Sequence, residues 1–192
     1  MMKVDDRTVA PVRRFVAGEA TGRVLEIGCG TGLNLAHYDW ARIDSLDATE
    51  PDLYMLEHAF KRLDALSEDA RAKVHLQEAP AEQLPFEDAT FDVVVSTLVF
   101  CTVSDIERSL AEVHRVLKAG GQLRLFEHIQ GSGAIATVQR VVQPVYGWTA
   151  AGCQLSRDTE AAVRASGFTL VVRQRLSLGP LWPAFVGIAT KV

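Results

Sequence analysis

The hydrophobic positions of this chain form short continuous runs that alternate with stretches of helical periodicity. Apolar residues recur every three or four positions within residues 53–63 and 106–117, which is the spacing of one helical face. Mostly apolar runs predict seven strands, at residues 24–27, 43–49, 74–79, 91–98, 122–127, 169–176 and 184–191. This alternation predicts an α/β domain with a mostly parallel sheet, because parallel strands are joined by helical crossovers.

The last two predicted strands depart from this alternation. Only residues 177–183 connect them, whereas a crossover between parallel strands needs a dozen residues or more. These two strands are therefore expected to be antiparallel. The fold class predicted for the chain is a doubly wound, Rossmann-like sheet of seven strands, mostly parallel, with the last strand antiparallel.

Two further segments complete the predicted architecture, in which residues 1–192 form one domain. Valines at helical spacing predict an amphipathic helix within residues 1–20. Residues 129–158 do not fit the alternation and follow the fifth strand, at the edge of the sheet where ligands bind in open α/β folds. We interpret them as a substrate lid, and an ordinary helix packed on the sheet is the alternative. The apolar candidates for the lid wall are Val141, Val142, Val145, Tyr146 and Trp148.

A glycine-rich turn after the first strand is the main candidate for ligand binding. Gly28, Gly30 and Gly32 stand at alternate positions, so the backbone can turn tightly and a ligand can lie against it. Cys29 is interpreted as a small filler within the turn. A helix is expected from Leu33 onward, with its first amides directed at the same place. A dinucleotide fingerprint has a third glycine where this chain has Leu33, so the spacing favours another cofactor.

An acidic residue stands about twenty positions after this turn. Glu50 ends the second predicted strand, and Pro51 fits the first turn of the helix that follows. In nucleotide-binding α/β folds a carboxylate at this place accepts hydrogen bonds from two ribose hydroxyls. Asp47 is the alternative for this role, and a surface or helix-capping function is the alternative for Glu50.

The glycine turn and two later motifs resemble one enzyme family. Gly-x-Gly-x-Gly with Glu26 on the preceding strand resembles motif I of the class I S-adenosylmethionine-dependent methyltransferases. Ala-Glu-Gln-Leu-Pro-Phe at 81–86, before Phe-Asp-Val-Val-Val, is similar to the small-molecule members. The resemblance implies S-adenosylmethionine as the cofactor, with Ala81 and Glu82 at its adenine edge. Pro80 stands where many members have an aspartate, so one side-chain contact to adenine is missing from the pattern.

Three shorter stretches are similar to the alkyl-thiol methyltransferase-like proteins of the ubiquinone/menaquinone-methylase-like group. They comprise residues 97–103, residues 126–128 and the stretch that begins at Gly152-Cys153. The resemblance adds Thr97 and Leu98 to the expected cofactor site and implies a small apolar methyl acceptor, with a thiol favoured. His128 is the candidate base beside Glu127. A structural pair is the alternative, because adjacent strand residues point to opposite faces.

Two other functions remain open. Phospholipid methyltransferases and other small-molecule N-, O- or C-methyltransferases share similar stretches, so the acceptor atom is a hypothesis. A non-catalytic S-adenosylmethionine-binding protein would keep the fold without the chemistry. The intact glycine turn and Glu50 weigh against this second alternative.

Composition limits the remaining partners and the location. The 192 residues are 48% hydrophobic and 23% charged, with a net charge of −4, which describes a globular domain and argues against a nucleic-acid partner. Three widely spaced cysteines predict neither a disulfide framework nor a metal site. No signal peptide or transmembrane segment is predicted, so we expect a cytoplasmic monomer or homodimer acting on a small molecule.

Overall fold

The computed structural model describes residues 6–149 and 152–192, without the side chains of residues 6–8, 145 and 147–149. The helices are α1 (Asp6–Val16), α2 (Leu53–Leu63), α3 (Glu68–Arg71), α4 (Ile106–Val116), α5 (Ala134–Thr149) and α6 (Thr159–Ala165). The strands are β1 (Gly22–Ile27), β2 (Ile43–Thr49), β3 (Val74–Gln77), β4 (Phe91–Thr97), β5 (Leu117–His128), β6 (Phe168–Ser177) and β7 (Pro183–Lys191). A single 3-10 helix, Leu33–Ala36, follows the glycine turn.

The seven strands form one mixed sheet in the order β3-β2-β1-β4-β5-β7-β6. Strands β1 to β5 pair in parallel, and β7 is antiparallel to both of its neighbours, β5 and β6. The predicted fold class, including the reversed last strand, is confirmed. The strand order reverses between β1 and β4, and in open α/β sheets ligands bind at the carboxyl ends of the strands at such a point.

Hydrophobic clusters cover both faces of the sheet. On one face Val24 of β1 packs in a buried cluster with residues of α1 and α2. On the other face Leu25 and Ile27 of the same strand belong to a cluster with residues of α4 and α6. This alternation along a strand buried on both sides explains why β1 has a nearly continuous apolar pattern.

A buried arginine fastens α1 to the sheet. The Arg124 guanidinium, on β5, donates from Nε to the Val16 carbonyl (3.0 Å) and from Nη2 to the Phe15 carbonyl (2.6 Å). It also pairs with Glu19 Oε2 at 2.8 Å and stacks over the Phe15 ring. The carbonyls at the end of α1 are thereby satisfied, and the predicted N-terminal helix is held against the sheet.

Three local predictions differ from the structure. The chain after the glycine turn forms one 3-10 turn rather than an α-helix, because Gly32 is left-handed (φ 77°) and Asn34 is turned into the protein core. Pro51 precedes the N-cap residue, Asp52, instead of lying in the first turn of α2. Strand β5 begins at Leu117, which is extended and pairs with Phe91, so α4 ends one residue earlier than its apolar pattern. Helix α5 continues through Pro144.

Within the described residues, no helix combines the length and the apolar character that a bilayer span requires.

Candidate active site

A cavity of about 480 Å³ opens at the carboxyl ends of β1, β2 and β4. Ten of the residues predicted to bind the cofactor line it together: Glu26, Gly28, Cys29, Gly30, Glu50, Pro51, Ala81, Glu82, Thr97 and Leu98. Gly32, also predicted, does not line the cavity and lies close to Leu35 and Ala59. The structure thus gathers residues from four separate stretches of the sequence at the point where the strand order reverses.

Two glycines of the turn have different functions. A Cβ atom on Gly28 would lie 2.7 Å from Val99 Cγ2, so this glycine permits close packing of two loops. A Cβ atom on Gly30 would meet only Met55 Sδ, at 4.0 Å, and would point into the cavity. Both residues have positive φ angles, 56° and 57°. Gly30 therefore leaves open space that a bound ligand can fill.

Glu50 is fixed at the floor of the cavity by backbone amides. Its Oε2 atom accepts from the Gly30 amide (2.8 Å) and its Oε1 atom accepts from the Asp52 amide (3.0 Å). A carboxylate has about four acceptor positions, so both oxygens can still accept from a ligand. A pair of neighbouring hydroxyls is the ligand chemistry that this arrangement suits.

Glu26, which also lines the cavity, belongs to a buried hydrogen-bond network. Asn34 Nδ2 donates to Glu26 Oε1 (2.8 Å), and the Tyr38 hydroxyl donates to Oε2 (2.7 Å). Burial raises the pKa of Glu26 to about 7, although these two hydrogen bonds and the Arg13 charge act to lower it. A cationic group bound beside this carboxylate would favour its ionised form.

Arg13 and Asn34 are cavity residues that the sequence did not reveal. Arg13 Nη1 donates to Asn34 Oδ1 (2.6 Å), and Asn34 Nδ2 also lies 3.0 Å from Thr97 Oγ1. Both side chains line the cavity. The arginines of α1 were visible as polar positions of an amphipathic helix, but nothing in their spacing shows that α1 crosses this edge of the sheet.

Leu98 has an unusual backbone at the end of β4. Its φ angle is +60°, a region that residues other than glycine seldom adopt. Its amide donates to the Phe126 carbonyl (2.8 Å), which holds the strained turn in place. Strain of this kind is typical of ligand sites, and here it lies on the cavity wall.

The Glu82 side chain organises a neighbouring loop. Its Oε1 atom accepts from the Ser104 amide and hydroxyl, at 2.9 and 2.7 Å, and from the Asp105 amide at 3.3 Å. Burial acts to raise the pKa of Glu82, but these hydrogen bonds outweigh it and lower the pKa. The carboxylate thus joins the Ala81 loop to the start of α4, and both Ala81 and Ser104 line the cavity.

Glu127 and His128, the predicted acid and base, do not line this cavity. Strand β5 continues through His128, so the two side chains alternate across the sheet instead of meeting at one site. Glu127 Oε1 accepts from the Ser96 hydroxyl (2.7 Å) and the Val99 amide (3.0 Å). Burial raises the pKa of Glu127 to about 7 and lowers the pKa of His128. Their catalytic function stays a prediction.

Three buried polar atoms of this pair are poorly satisfied. Within the described chain, Glu127 Oε2 and both ring nitrogens of His128 lack a hydrogen bond of good geometry. The backbone of Leu181 still acts to raise the pKa of His128, and the Phe100 and Cys101 amides act to lower that of Glu127, so weaker polar contacts reach both groups. Burial without a partner is costly, so these groups are the best candidates for a further function near the cavity. Cys29 is different, since burial raises the pKa of its thiol far above the ordinary range, in agreement with a filler.

The predicted lid lies beside the cavity. No described residue of 129–158 lines it, and Val141 is exposed. Tyr146 accepts a hydrogen bond from Trp182 Nε1 (3.0 Å). The side chains of Val145 and Trp148 lie outside the described residues.

The cavity has the chemistry expected of a site for a positively charged nucleoside. Glu26 and Glu50 supply buried acidic groups to its wall, and Leu98, Val99 and Met55 supply apolar surface. The space beside Gly30 brings a ligand to the backbone of the turn. In the part of the chain that the structure describes, no group of three or more His, Cys, Asp or Glu residues is arranged to hold a metal ion.

Fold and site together define a class I S-adenosylmethionine-dependent methyltransferase. Residues 25–125 match the protein family described as "Methyltransferase domain", and the chain belongs to this family. S-adenosylmethionine is accordingly its cofactor.

Similarity to individual proteins refines this assignment. The chain is 35% identical to human thiol S-methyltransferase TMT1B over 188 residues, which covers 90% of this chain and 72% of that protein. It is 30% identical over 146 residues to phosphatidylethanolamine N-methyltransferase of Cereibacter sphaeroides, covering 72% of this chain and 70% of that protein. The crystal structure of YcgJ from Bacillus subtilis has the same fold, with a TM-score of 0.76, 16% identity and coverage of 96% and 98%.

Proposed function

We propose that this methyltransferase transfers the methyl group of S-adenosylmethionine to the sulfur of a small apolar thiol. The observation that carries the proposal is the 35% identity to a thiol S-methyltransferase over 90% of the chain. Bound S-adenosylmethionine supplies a methyl group already activated on a sulfonium. The protein has then to bind and orient the reactants and to exclude water, and such positioning accounts for a large share of the rate.

The cavity residues divide the binding of the cofactor among them. Glu50, held by the Gly30 and Asp52 amides, accepts the ribose hydroxyls. Glu26 provides the negative charge for the cationic end, with Asn34 and Tyr38 fixing its orientation. The backbone of Gly30, which carries no Cβ atom, would allow the cofactor to approach the turn closely.

A thiol suits this cavity better than an alcohol or a phenol. A thiol is far more acidic than an alcohol, with a pKa of about 8.5 for a cysteine-type thiol, and its sulfur is intrinsically a strong nucleophile, so only weak assistance is needed. The carboxylates of the wall, Glu26, Glu50 and Glu82, are already engaged by protein donors. An acceptor that ionises largely unaided is therefore favoured.

We assign residues 129–158 as the lid over the acceptor. Arg157 Nη1 donates to the Phe100 and Val103 carbonyls, both at 2.7 Å, and so connects this segment to the loop after β4. That loop includes Val99 and Val103 of the cavity wall. A lid in this place would close the methyl-transfer point from water, as displacement at a sulfonium requires.

A matched set of acceptors tests the proposal. Hexanethiol, hexanol and hexylamine differ only in the accepting atom, and vesicles containing phosphatidylethanolamine provide the lipid alternative. We expect release of S-adenosylhomocysteine with hexanethiol to exceed that with each other acceptor at least tenfold. Glu50→Ala should lose activity with every acceptor. Methylation of the amine or of the lipid headgroup, with the thiol left unmodified, would contradict the assignment to sulfur while leaving the methyltransferase class intact.

A further inference from the structure

Two cysteines from distant parts of the chain meet behind the cavity wall. Cys101 lies in the loop after β4, and Cys153 lies after α5. The two thiols act on each other's pKa through a side-chain hydrogen bond, and both cysteines are free. Cys101 Sγ also lies 3.5 Å from the Leu98 carbonyl, which belongs to the same loop. The proposed thiol acceptor does not involve this pair.

The backbones that carry the two cysteines are held close together. The Gln154 amide donates to the Cys101 carbonyl (2.7 Å). Since each of these atoms is about 2.4 Å from the Cα atom of its cysteine, the two Cα atoms are at most about 7.5 Å apart. Disulfides usually join Cα atoms 4.4–6.8 Å apart, so a small approach is sufficient for a bond.

Side chains from two other elements fix this arrangement. Gln143 of α5 donates from Nε2 to the Cys153 carbonyl (3.1 Å) and accepts from the Leu155 amide (2.6 Å). Arg157 donates to two carbonyls of the Cys101 loop, as described above. The backbone segments that carry the two cysteines are therefore held together by a connected set of hydrogen bonds.

The two thiols differ in exposure and acidity. Cys153 is half-buried, whereas Cys101 is almost completely buried. Donation from the Cys101 thiol lowers the pKa of Cys153, and burial opposes this shift. The same hydrogen bond, with burial, raises the pKa of Cys101. Cys153 is the accessible, more acidic thiol of the pair, and Cys101 is placed to react second.

We propose that Cys101 and Cys153 form a redox modification site, in which a hydroperoxide joins the two thiols as a disulfide. The Cys153 thiolate attacks one peroxide oxygen, forming a sulfenic acid as the O–O bond breaks and the other oxygen leaves as water or an alcohol. The Cys101 sulfur then attacks the sulfenic sulfur, forming the S–S bond and releasing water. Two electrons and two protons leave the thiols, and the peroxide accepts them.

The disulfide would connect the lid segment to the cavity wall. Leu98, Val99, Thr102 and Val103 surround Cys101 in sequence and line the cofactor cavity. A bond to Cys153 limits the movement of this wall. Release of S-adenosylhomocysteine is then slower from the oxidised protein than from the reduced protein.

Peptide mapping of the intact protein tests the site. The reduced protein is treated with a small excess of hydrogen peroxide, alkylated and digested without reductant. We expect the Cys101–Cys153 peptide pair as the main product, reversible by dithiothreitol, while Cys29 is recovered in its alkylated form. Sulfinic or sulfonic acid at Cys153 without the cross-link, or an equal yield of cross-links to Cys29, would overturn the proposal.

Two further readouts use Cys153→Ser as the control. The cross-link closes a loop of about fifty residues, so oxidation should raise the melting temperature by about 5 °C or more. Dissociation of S-adenosylhomocysteine, followed by stopped flow, should slow at least threefold. Peroxide should change neither quantity in Cys153→Ser, which keeps buried Cys101. Equal changes in the wild type and in Cys153→Ser would contradict the proposal. Unchanged dissociation of S-adenosylhomocysteine from a fully cross-linked wild type would show that the disulfide does not influence the cavity.

Discussion

At the scale of single residues, the site depends on buried acids whose burial carries an energetic cost. Glu26 is buried within the sheet, where the Arg13 charge favours its ionised form and the Glu50 charge opposes it. Isolated burial of this kind favours the neutral acid, and a positively charged ligand reverses that preference. Glu50 differs because backbone amides already hold both of its oxygens.

The affinity for S-adenosylmethionine should therefore depend on pH through Glu26. The pKa of this carboxyl is about 7 without the cofactor, so it is ionised above pH 7 and neutral below. Because the cofactor carries a net positive charge, binding below pH 7 releases a proton. The affinity should rise up to about tenfold per pH unit between pH 5.5 and 7 and level off above pH 7.

Titration calorimetry at a series of pH values checks this dependence. Glu26→Gln keeps the shape of the side chain and removes its ionisation, so its affinity should be lower at pH 8 and nearly constant with pH. Glu87→Gln, at an exposed carboxylate, should behave as the wild type. A pH-independent affinity in the wild type would show that Glu26 does not sense the charge of the cofactor.

At the scale of elements, α1 connects the sheet to the cavity. Arg124 of β5 binds the carboxyl end of α1, and Arg13 of α1 reaches Asn34 and through it Glu26. The chain of contacts joins residues that are more than one hundred positions apart in sequence. Its presence implies that the docking of α1 influences cofactor binding.

Arg124→Met should lower both stability and cofactor affinity. The substitution keeps an apolar stem but leaves the Phe15 and Val16 carbonyls and Glu19 without their donor. We expect a loss of about 2–4 kcal/mol in the free energy of unfolding, measured with urea, and an affinity at least threefold weaker. Arg164→Met, on the opposite face in α6, is the matched control and should leave the affinity unchanged. If Arg124→Met lost stability but kept its cofactor affinity, the docking of α1 would have no influence on cofactor binding.

The elements themselves were largely predictable because each has a clear local pattern. Strand β1, buried on both faces, has a continuous apolar run, and the short β6–β7 connection required an antiparallel pair. The sequence did not predict the function of Arg13, because Arg13 lies on α1, which the long-range contacts of Arg124 dock against the sheet. It did not predict that of Asn34 either, because its partners Glu26 and Thr97 meet it only in the folded chain. The sequence also did not predict the 3-10 turn at Leu33–Ala36, in which the Asn34 side chain turns inward to donate a hydrogen bond to buried Glu26.

At the scale of the whole molecule, the mixed sheet gathers the site from separate stretches. The carboxyl ends of β1, β2 and β4 meet where the strand order reverses, so the glycine turn, Glu50 and Leu98 surround one cavity. Family resemblance located these residues because each belongs to a local motif. It did not reveal that Glu127 and His128 do not line the cavity, since this follows from how far β5 extends.

The most direct test of the account is whether the space beside Gly30 binds the cofactor. Gly30→Ala places a methyl group in the cavity, whereas Gly120→Ala adds one at a left-handed position (φ 73°) with no atom within 4 Å. Both substitutions carry a similar backbone strain of about 1 kcal/mol. A difference in cofactor affinity between them therefore reports the methyl group in the cavity and not the strain. Titration calorimetry with S-adenosylmethionine should show micromolar binding to the wild type and Gly120→Ala, and at least tenfold weaker binding to Gly30→Ala. Absence of binding to the wild type, or equal affinities for the two variants, would contradict the assignment of this cavity as the methyltransferase site.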